Sequence, residues 1–217
     1  MNINTKARKV LCFGDSNTWG FIPGKGTRYS KEVRWTGILQ ESLGDGFEIV
    51  EEGLNSRTTN IDDQKHVGKN GASYLAPCLE THFPIDYIVL FLGTNDLKER
   101  FHRSPQDIAD GIQNLLDLTK NTSHEENQTL PKVILVCPPI VDESVEGVID
   151  KYKGAEAKSR LLPKLYEELA QKNNCLYINL QEHLKPSKVD GYHFDRDSHK
   201  TLANLVERKL REFMDES

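Results

Sequence analysis

The feature that most constrains the fold is a series of five short apolar runs separated by segments with helical periodicity. Most of these runs are almost continuously apolar, which is typical of strands buried on both faces of a parallel sheet. They lie at 10–13, 47–50, 87–92, 133–137 and 176–180. Strand–helix alternation predicts an α/β fold, a three-layer α/β/α sandwich around a parallel sheet of about five strands.

The segments between the runs predict the helices that cover this sheet. The clearest is 104–119, where Ser104 can cap the first turn and Pro105 suits the first helical position. Further helices are predicted at 35–43, 72–82, 154–172 and 197–213. Pro163 should kink or break the helix that contains it. A polar surface loop is predicted at 121–130, a longer excursion at 138–153, and one domain over 1–217.

Charge and composition exclude several functional classes. The chain has 28 Lys plus Arg against 33 Asp plus Glu, a net charge of -5, so it lacks the basic surface of a nucleic-acid binder. No window approaches the ~18 apolar residues of a membrane span, and the polar start at 1–9 does not resemble a secretory signal. Four scattered cysteines without a CxxC pair favour free thiols. We expect a cytoplasmic protein with neither nucleic-acid nor membrane partners.

Small and polar residues follow four of the five predicted strands. In open parallel sheets, functional sites collect just beyond the carboxyl ends of the strands. The segments in question are 14–20, 52–59, 93–96 and 190–195. Together they contain a hydroxyl group, an imidazole, carboxylates and amide donors, so we expect the functional site there.

These groups match what acyl transfer requires: a nucleophile, a base, a group that orients the base, and donors for an oxyanion. Ser16 lies at a strand-to-helix turn and is the candidate nucleophile. His193 is the candidate base, since an imidazole exchanges protons near neutral pH. Asp190 could orient that imidazole, and Asn95 offers an uncharged N–H donor. Each residue alone is more often structural, so the hypothesis depends on their combination.

The motifs Gly14-Asp15-Ser16, 93–96 and Asp190-x-x-His193 resemble, in order and spacing, the blocks of the GDSL, or SGNH, hydrolase superfamily. Longer stretches are similar to its bacterial arylesterase and acyltransferase branch, at 11–20, 33–37, 51–54, 57–63 and 70–75. The resemblance implies a flavodoxin-like fold and a serine esterase with no metal and no organic cofactor. Ser16 would be the nucleophile, His193 the base and Asp190 the residue that orients it.

The resemblance also implies an oxyanion hole formed by the Ser16 N–H, a backbone N–H after the second strand, and the Asn95 side chain. The family usually has Gly at the second of these positions, and the residue we align to it is Ser56, with Gly53 as the competing alignment. A backbone N–H serves whatever the side chain. Asn17 replaces the Leu of the GDSL tag, and its side chain is not expected to do chemistry.

Three apolar residues follow the candidate nucleophile closely, Trp19, Phe21 and Ile22. They could form the wall of an acyl or alcohol pocket, since such pockets are mostly hydrophobic, or they could pack in the ordinary way. The segments 21–30 and 138–153 are the loops expected to restrict substrate size or to contact a second subunit. A homo-oligomer therefore stays open as a prediction.

A metal site is an alternative interpretation of the last motif, because His193, Asp195, Asp197 and His199 alternate in a way that could place four ligands on one face of a strand. The segment leads into the last predicted helix, however. We therefore interpret Asp195 and Asp197 as capping residues and His199 as a surface residue.

Charged residues beside the motifs are interpreted as structural. Asp15 and Asp96 should accept hydrogen bonds from loop amides and shape their turns. Arg57 should brace its own loop against Asp62 or Asp63.

The residues and the resemblance together predict a serine esterase that hydrolyses short-chain acyl or aryl esters through an acyl-enzyme. Acyl transfer to an alcohol or to peroxide is a further expected outcome if the pocket disfavours water. The alternative within the superfamily is a carbohydrate acetylesterase or a lysophospholipase. The alternative outside enzymes is an idle binding module, which would need none of the candidate catalytic residues.

Overall fold

The computed structural model describes residues 4–122 and 130–215 and contains one five-stranded parallel sheet. Its strands are β1 (Arg8–Gly14), β2 (Phe47–Gly53), β3 (Tyr87–Phe91), β4 (Lys132–Cys137) and β5 (Leu176–Asn179). Their order in space is β2-β1-β3-β4-β5, with every neighbouring pair parallel. This is the flavodoxin-like order, so the predicted α/β sandwich is confirmed.

Helices cover both faces of the sheet. In chain order they are α1 (Ser16–Trp19), α2 (Trp35–Leu43), α3 (Gly71–His82), α4 (Pro105–Asn121), α5 (Ile149–Tyr152), α6 (Ala155–Ser159), α7 (Leu162–Asn173) and α8 (Arg196–Asp215). The predicted break at Pro163 is confirmed: α6 and α7 are separate, and Pro163 lies in the first turn of α7, where its missing N–H costs nothing. Most of the predicted loop at 121–130 lies outside the described residues. Among the described helices, none is both long and apolar enough to cross a membrane.

Two apolar clusters form the core, one on each face of the sheet. Because alternate residues of a strand point to opposite faces, Leu11 and Phe13 pack with α3, α4 and α7, whereas Val10 and Cys12 pack with α2 and α8. The cysteines are free: Cys12, Cys78 and Cys137 are buried and Cys175 is partly buried. Burial on both faces explains why the strand runs are almost continuously apolar.

His199 is a buried residue of α8, and its interpretation as a surface residue is wrong. The helix begins at Arg196, and Asp195 accepts a hydrogen bond from the Ser198 N–H at 2.9 Å, so the histidine turns inward with the first turn. Its Nδ1 accepts a 3.4 Å hydrogen bond from the Trp35 N–H. Its side chain is fully buried, and this burial lowers the pKa of His199 to about 4.

The buried His199 should make the protein sensitive to mild acid. The folded protein holds the imidazole in its neutral form, whereas the unfolded chain takes up a proton there below a pKa of about 6.5. The stability associated with this group is therefore complete above pH 6.5 and is lost as the pH falls towards the folded pKa of about 4. We expect this group to remove on the order of 3 kcal/mol from the free energy of unfolding over that range. Urea unfolding of wild type and His199→Gln between pH 8 and pH 4 measures it. Equal pH dependence in the two proteins would contradict the assignment.

Candidate active site

The segments after β1, β3 and β5 meet at the carboxyl edge of the sheet. Gly14 ends β1, and it must be glycine because a Cβ there would lie 2.1 Å from Thr18 Oγ1 and 2.8 Å from the Phe91 carbonyl oxygen. This close approach brings the start of α1, with Ser16 as its first residue, against the segment that follows β3. The connection from β5 to α8 brings His193 to the same place from the other side.

Ser16, His193 and Asp190 form one continuous chain of hydrogen bonds. His193 Nε2 lies 2.9 Å from Ser16 Oγ, and His193 Nδ1 lies 2.7 Å from Asp190 Oδ2. The other oxygen of Asp190 accepts the His193 backbone N–H at 3.1 Å. Ser16 and His193 are 7% and 6% exposed, enough to be reached from a cavity. When Nδ1 carries the ring proton and donates a hydrogen bond to Asp190, Nε2 carries no proton and can accept the hydroxyl proton of Ser16.

The environment of Asp190 favours its charged form. Burial raises the pKa of its carboxyl, but the hydrogen bond and the electrostatic interaction with His193, helped by two backbone N–H groups, lower it below its usual value. Asp190 is therefore ionised at neutral pH. An ionised carboxylate in this position can hold the imidazole and stabilise it when it becomes positively charged.

Asn17 has a positioning role that the sequence did not suggest. Its side-chain amide donates to the Tyr192 carbonyl oxygen and its side-chain oxygen accepts the Phe194 N–H, both at 3.1 Å. These two bonds join the segment of Ser16 to the segment of His193 on either side of the histidine. A Leu at this position could make neither bond, so Asn17 contributes directly to the alignment of the two residues.

Asn95 and Ser56 reach the same cavity from two other loops. Asn95 begins the 3-10 turn Asn95–Leu97, and its amide donates to the Arg57 carbonyl oxygen at 3.0 Å and to Asp15 Oδ2 at 3.4 Å. Ser56 lines the cavity with a positive φ of 66°. Gly53 does not line it. Gly53 ends β2, and a Cβ there would lie 2.2 Å from the Trp19 nitrogen, so close packing against α1 accounts for that glycine.

Asp15 and Asp96 shape the turns that carry Ser16 and Asn95. Asp15 accepts the Asn17 N–H at 2.9 Å and caps α1, while burial raises the pKa of its carboxyl to about 6. Asp96 accepts the Thr59 hydroxyl at 2.6 Å and pairs with Arg103 at 3.1 Å. Both carboxylates therefore have the structural contacts predicted for them.

Arg57 does not brace its loop against Asp62 or Asp63, so that prediction is wrong. Its guanidinium turns beneath β1, where it donates to the Gly14 carbonyl oxygen at 2.9 Å and lies over the ring of Phe13 at 4.1 Å. Asp63 pairs with Arg100 instead. The guanidinium also donates to the Glu52 carbonyl oxygen, so the buried Arg57 joins the ends of β1 and β2.

A cavity of about 510 Å³ lies over Ser16 and His193. Of the three predicted pocket residues, only Phe21 lines it, stacked on the His193 ring with centroids 4.2 Å apart. Trp19 lies instead beneath the guanidinium of Arg28, and Ile22 faces a separate cavity. The remaining lining residues are mostly polar or charged: Asn55, Ser56, Lys65, His66, Asn95, Lys98, Glu99, Arg100, His102, Asp150, Lys151, Tyr152 and Tyr192.

One group among the described residues offers three candidate metal-ligand atoms close together. The atoms belong to Glu52, Cys78 and His82 and lie within 4.8 Å of one another, outside the cavity. The donor set suits a cation poorly. Arg57 already places a positive charge 3.9 Å from the Glu52 carboxylate, and burial raises the pKa of the Cys78 thiol to about 12.

Comparisons with known proteins show the family of the chain. Residues 12–201 match the GDSL-like Lipase/Acylhydrolase family. The aryl esterase of M. smegmatis is 37% identical with a TM-score of 0.89, covering 95% of this chain and 99% of that one. A carbohydrate acetylesterase from Sinorhizobium meliloti is 36% identical with a TM-score of 0.89, over the same shares of the two chains. No curated protein matches the chain. The chain belongs to the GDSL-like lipase/acylhydrolase family and is an esterase of that family.

Proposed function

We propose that this esterase hydrolyses short-chain acyl or aryl esters through an acyl-enzyme, with Ser16 as nucleophile, His193 as base and Asp190 as the residue that orients the base. The observation that carries the proposal is the chain of hydrogen bonds from Ser16 Oγ through the imidazole to Asp190, at 2.9 and 2.7 Å. It begins at the floor of a cavity large enough for a small ester.

The reaction proceeds in two halves. Ser16 Oγ attacks the ester carbonyl carbon while His193 Nε2 takes the hydroxyl proton, which gives a tetrahedral oxyanion. The oxyanion collapses, the bond to the alcohol oxygen breaks, and His193 returns the proton to the departing alcohol or phenol. Water then repeats the sequence on the acyl-enzyme, releasing the acid and restoring Ser16. An alcohol or peroxide in place of water would give acyl transfer.

The oxyanion is stabilised by the Ser16 N–H, the Ser56 N–H and the Asn95 side-chain amide. The Ser16 N–H lies in the first turn of α1, where no intrahelical acceptor exists. The Ser56 N–H has no hydrogen-bond acceptor in residues 4–122 and 130–215. For Asn95, the substrate oxygen would replace the long 3.4 Å contact to Asp15. Loss of one such donor typically costs ~100- to 1000-fold in rate.

A carbohydrate acetylesterase is the second candidate, supported by a specific feature of the cavity. Its lining is mostly polar and charged, with Phe21, Tyr152 and Tyr192 as the aromatic members. A polyhydroxylated alcohol part could hydrogen-bond to such a wall. A lysophospholipid would require a long apolar channel, which this lining does not provide.

Labelling of the wild-type protein with a fluorophosphonate tests the proposal. We expect intact mass to show a single adduct, and the same preparation to hydrolyse 4-nitrophenyl acetate at a rate that a chelator does not change. Absence of both adduct and turnover would favour the idle binding module. Turnover without an adduct, lost on addition of a chelator, would favour a metal-dependent hydrolase.

A further inference from the structure

Lys98 is a buried cation in the cavity that contains Ser16, and none of the residues that the structure describes is its partner. Its side chain is 7% exposed and lines the cavity. It directly follows the turn that carries Asn95, and its backbone N–H donates to the Asn95 carbonyl oxygen at 3.2 Å. Across the described ranges 4–122 and 130–215, its ammonium makes neither a hydrogen bond nor an ion pair. The ammonium lies 5.9 Å from the centre of the Tyr152 ring.

Burying a charge without a partner lowers the free energy of unfolding. A cation retained in such a place is therefore expected to have a function. Burial, with a smaller contribution from the positive charge of Arg100, lowers the pKa of Lys98 to about 8, so the ammonium is still mostly charged at neutral pH. The nearby carboxylates are already engaged. Asp63 pairs with Arg100, and Asp15 accepts hydrogen bonds from Asn17 and Asn95.

The wall around Lys98 is positive although the whole chain is negative. Four cationic side chains line the cavity, namely Lys65, Lys98, Arg100 and Lys151, of which Arg100 is paired with Asp63, against the two carboxylates of Glu99 and Asp150. The net charge of the chain is -5. An excess of one sign of charge around a concave site concentrates ligands of the other sign. Both Lys65 and Lys151 are exposed and screened by solvent, so Lys98 is the cation with the largest direct effect.

We propose that Lys98 binds a carboxylate carried by the substrate, so that the preferred ester is a monoanion with its charge on the acyl or the alcohol part. One buried ammonium matches one negative charge, whereas a phosphate dianion is usually held by several donors. This inference rests on the proposed esterase function and names the substrate class of the same site. A hydrogen bond to a charged group corresponds to about 10- to 100-fold in binding.

Two pairs of esters test the proposal on both parts of the substrate. The alcohol-side pair is 4-acetoxybenzoate and methyl 4-acetoxybenzoate. The acyl-side pair is mono-4-nitrophenyl adipate and its methyl ester. In each pair the measured quantity is the ratio of kcat/KM for the anion to kcat/KM for the neutral ester. Since both esters are assayed on one preparation, the ratio does not depend on the fraction of folded protein.

In the wild type we expect a ratio above one in at least one pair, and Lys98→Met should lower that ratio about tenfold or more. Lys98→Arg, which keeps the charge, should retain most of it. Lys65→Met removes an exposed charge from the same cavity and should change the ratio less than about twofold. Wild-type ratios of one or less in both pairs, or a ratio that Lys98→Met leaves unchanged, would overturn the proposal. If none of the four esters is hydrolysed, the proposed hydrolysis of short-chain acyl or aryl esters would be overturned instead.

Discussion

Replacing Ser16 with Ala should lower kcat for 4-nitrophenyl acetate by about 10⁴-fold or more, to the residual rate that binding and the oxyanion donors alone can give. Alanine has no Oγ, so no acyl-enzyme can form and the proton transfer to His193 has no donor. The substitution should leave the fold intact, because the side chain that caps α1 is that of Asp15 and not of Ser16. Steady-state kinetics and the unfolding midpoint measure the two effects.

Ser198→Ala is the matched control for this substitution. Ser198 is also buried, but it lies in α8 outside the cavity, and its hydroxyl makes a weak 3.4 Å bond to the Lys185 carbonyl oxygen. The Ser198→Ala variant should retain wild-type turnover within about twofold and should still form the fluorophosphonate adduct, whereas Ser16→Ala should form none. A Ser16→Ala protein that hydrolyses the ester at the wild-type rate would end the nucleophile assignment.

The sheet and the edge at which the site lies could be predicted because both follow from local patterns. Strands buried on two faces must be almost continuously apolar, and the parallel direction of neighbouring strands brings their carboxyl ends together. This placed Ser16, Asn95 and His193 at one edge although they are far apart in the sequence. The Ser104 cap of α4 could be predicted in the same way, and it is confirmed, since the Ser104 hydroxyl accepts the Asp107 N–H at 3.1 Å.

The contacts that the sequence did not predict are those made between distant segments. Asn17 bonds to residues about 175 positions away, and nothing local indicates that a side chain after the candidate nucleophile will bridge to the histidine loop. That Lys98 has no partner among the described residues is likewise a property of the packed cavity. The burial of His199 could not be predicted because it depends on how α8 lies against Trp35 of α2. In each case the role of the residue depends on tertiary packing, which the local sequence around that residue does not determine.

Replacing Asp190 with Asn should lower kcat by about 10⁴-fold while leaving Ser16 able to react slowly with the phosphonate. The Asn oxygen can still accept the His193 backbone N–H, so the loop keeps its shape. In the wild type the carboxylate accepts a hydrogen bond from His193 Nδ1. The Asn amide would instead donate a hydrogen bond to Nδ1. The imidazole then carries its proton on Nε2 and cannot accept the hydroxyl proton of Ser16. The separate measurement of kcat and of labelling distinguishes an orienting residue from the nucleophile.

Asp197→Asn removes the same charge from the exposed first turn of α8 and is the control, with kcat expected near the wild-type value. If Asp190→Asn kept kcat within tenfold of wild type, the 2.7 Å bond to His193 would be structural. If Asp190→Asn lost both turnover and all labelling, the loop that carries His193 would have moved, and Asp190 would act on the position of the histidine rather than on its tautomer. Our mechanism requires that Asp190→Asn keeps the labelling and loses the turnover. In that result Ser16 is intact, and the imidazole cannot act as its base because the ring proton lies on Nε2.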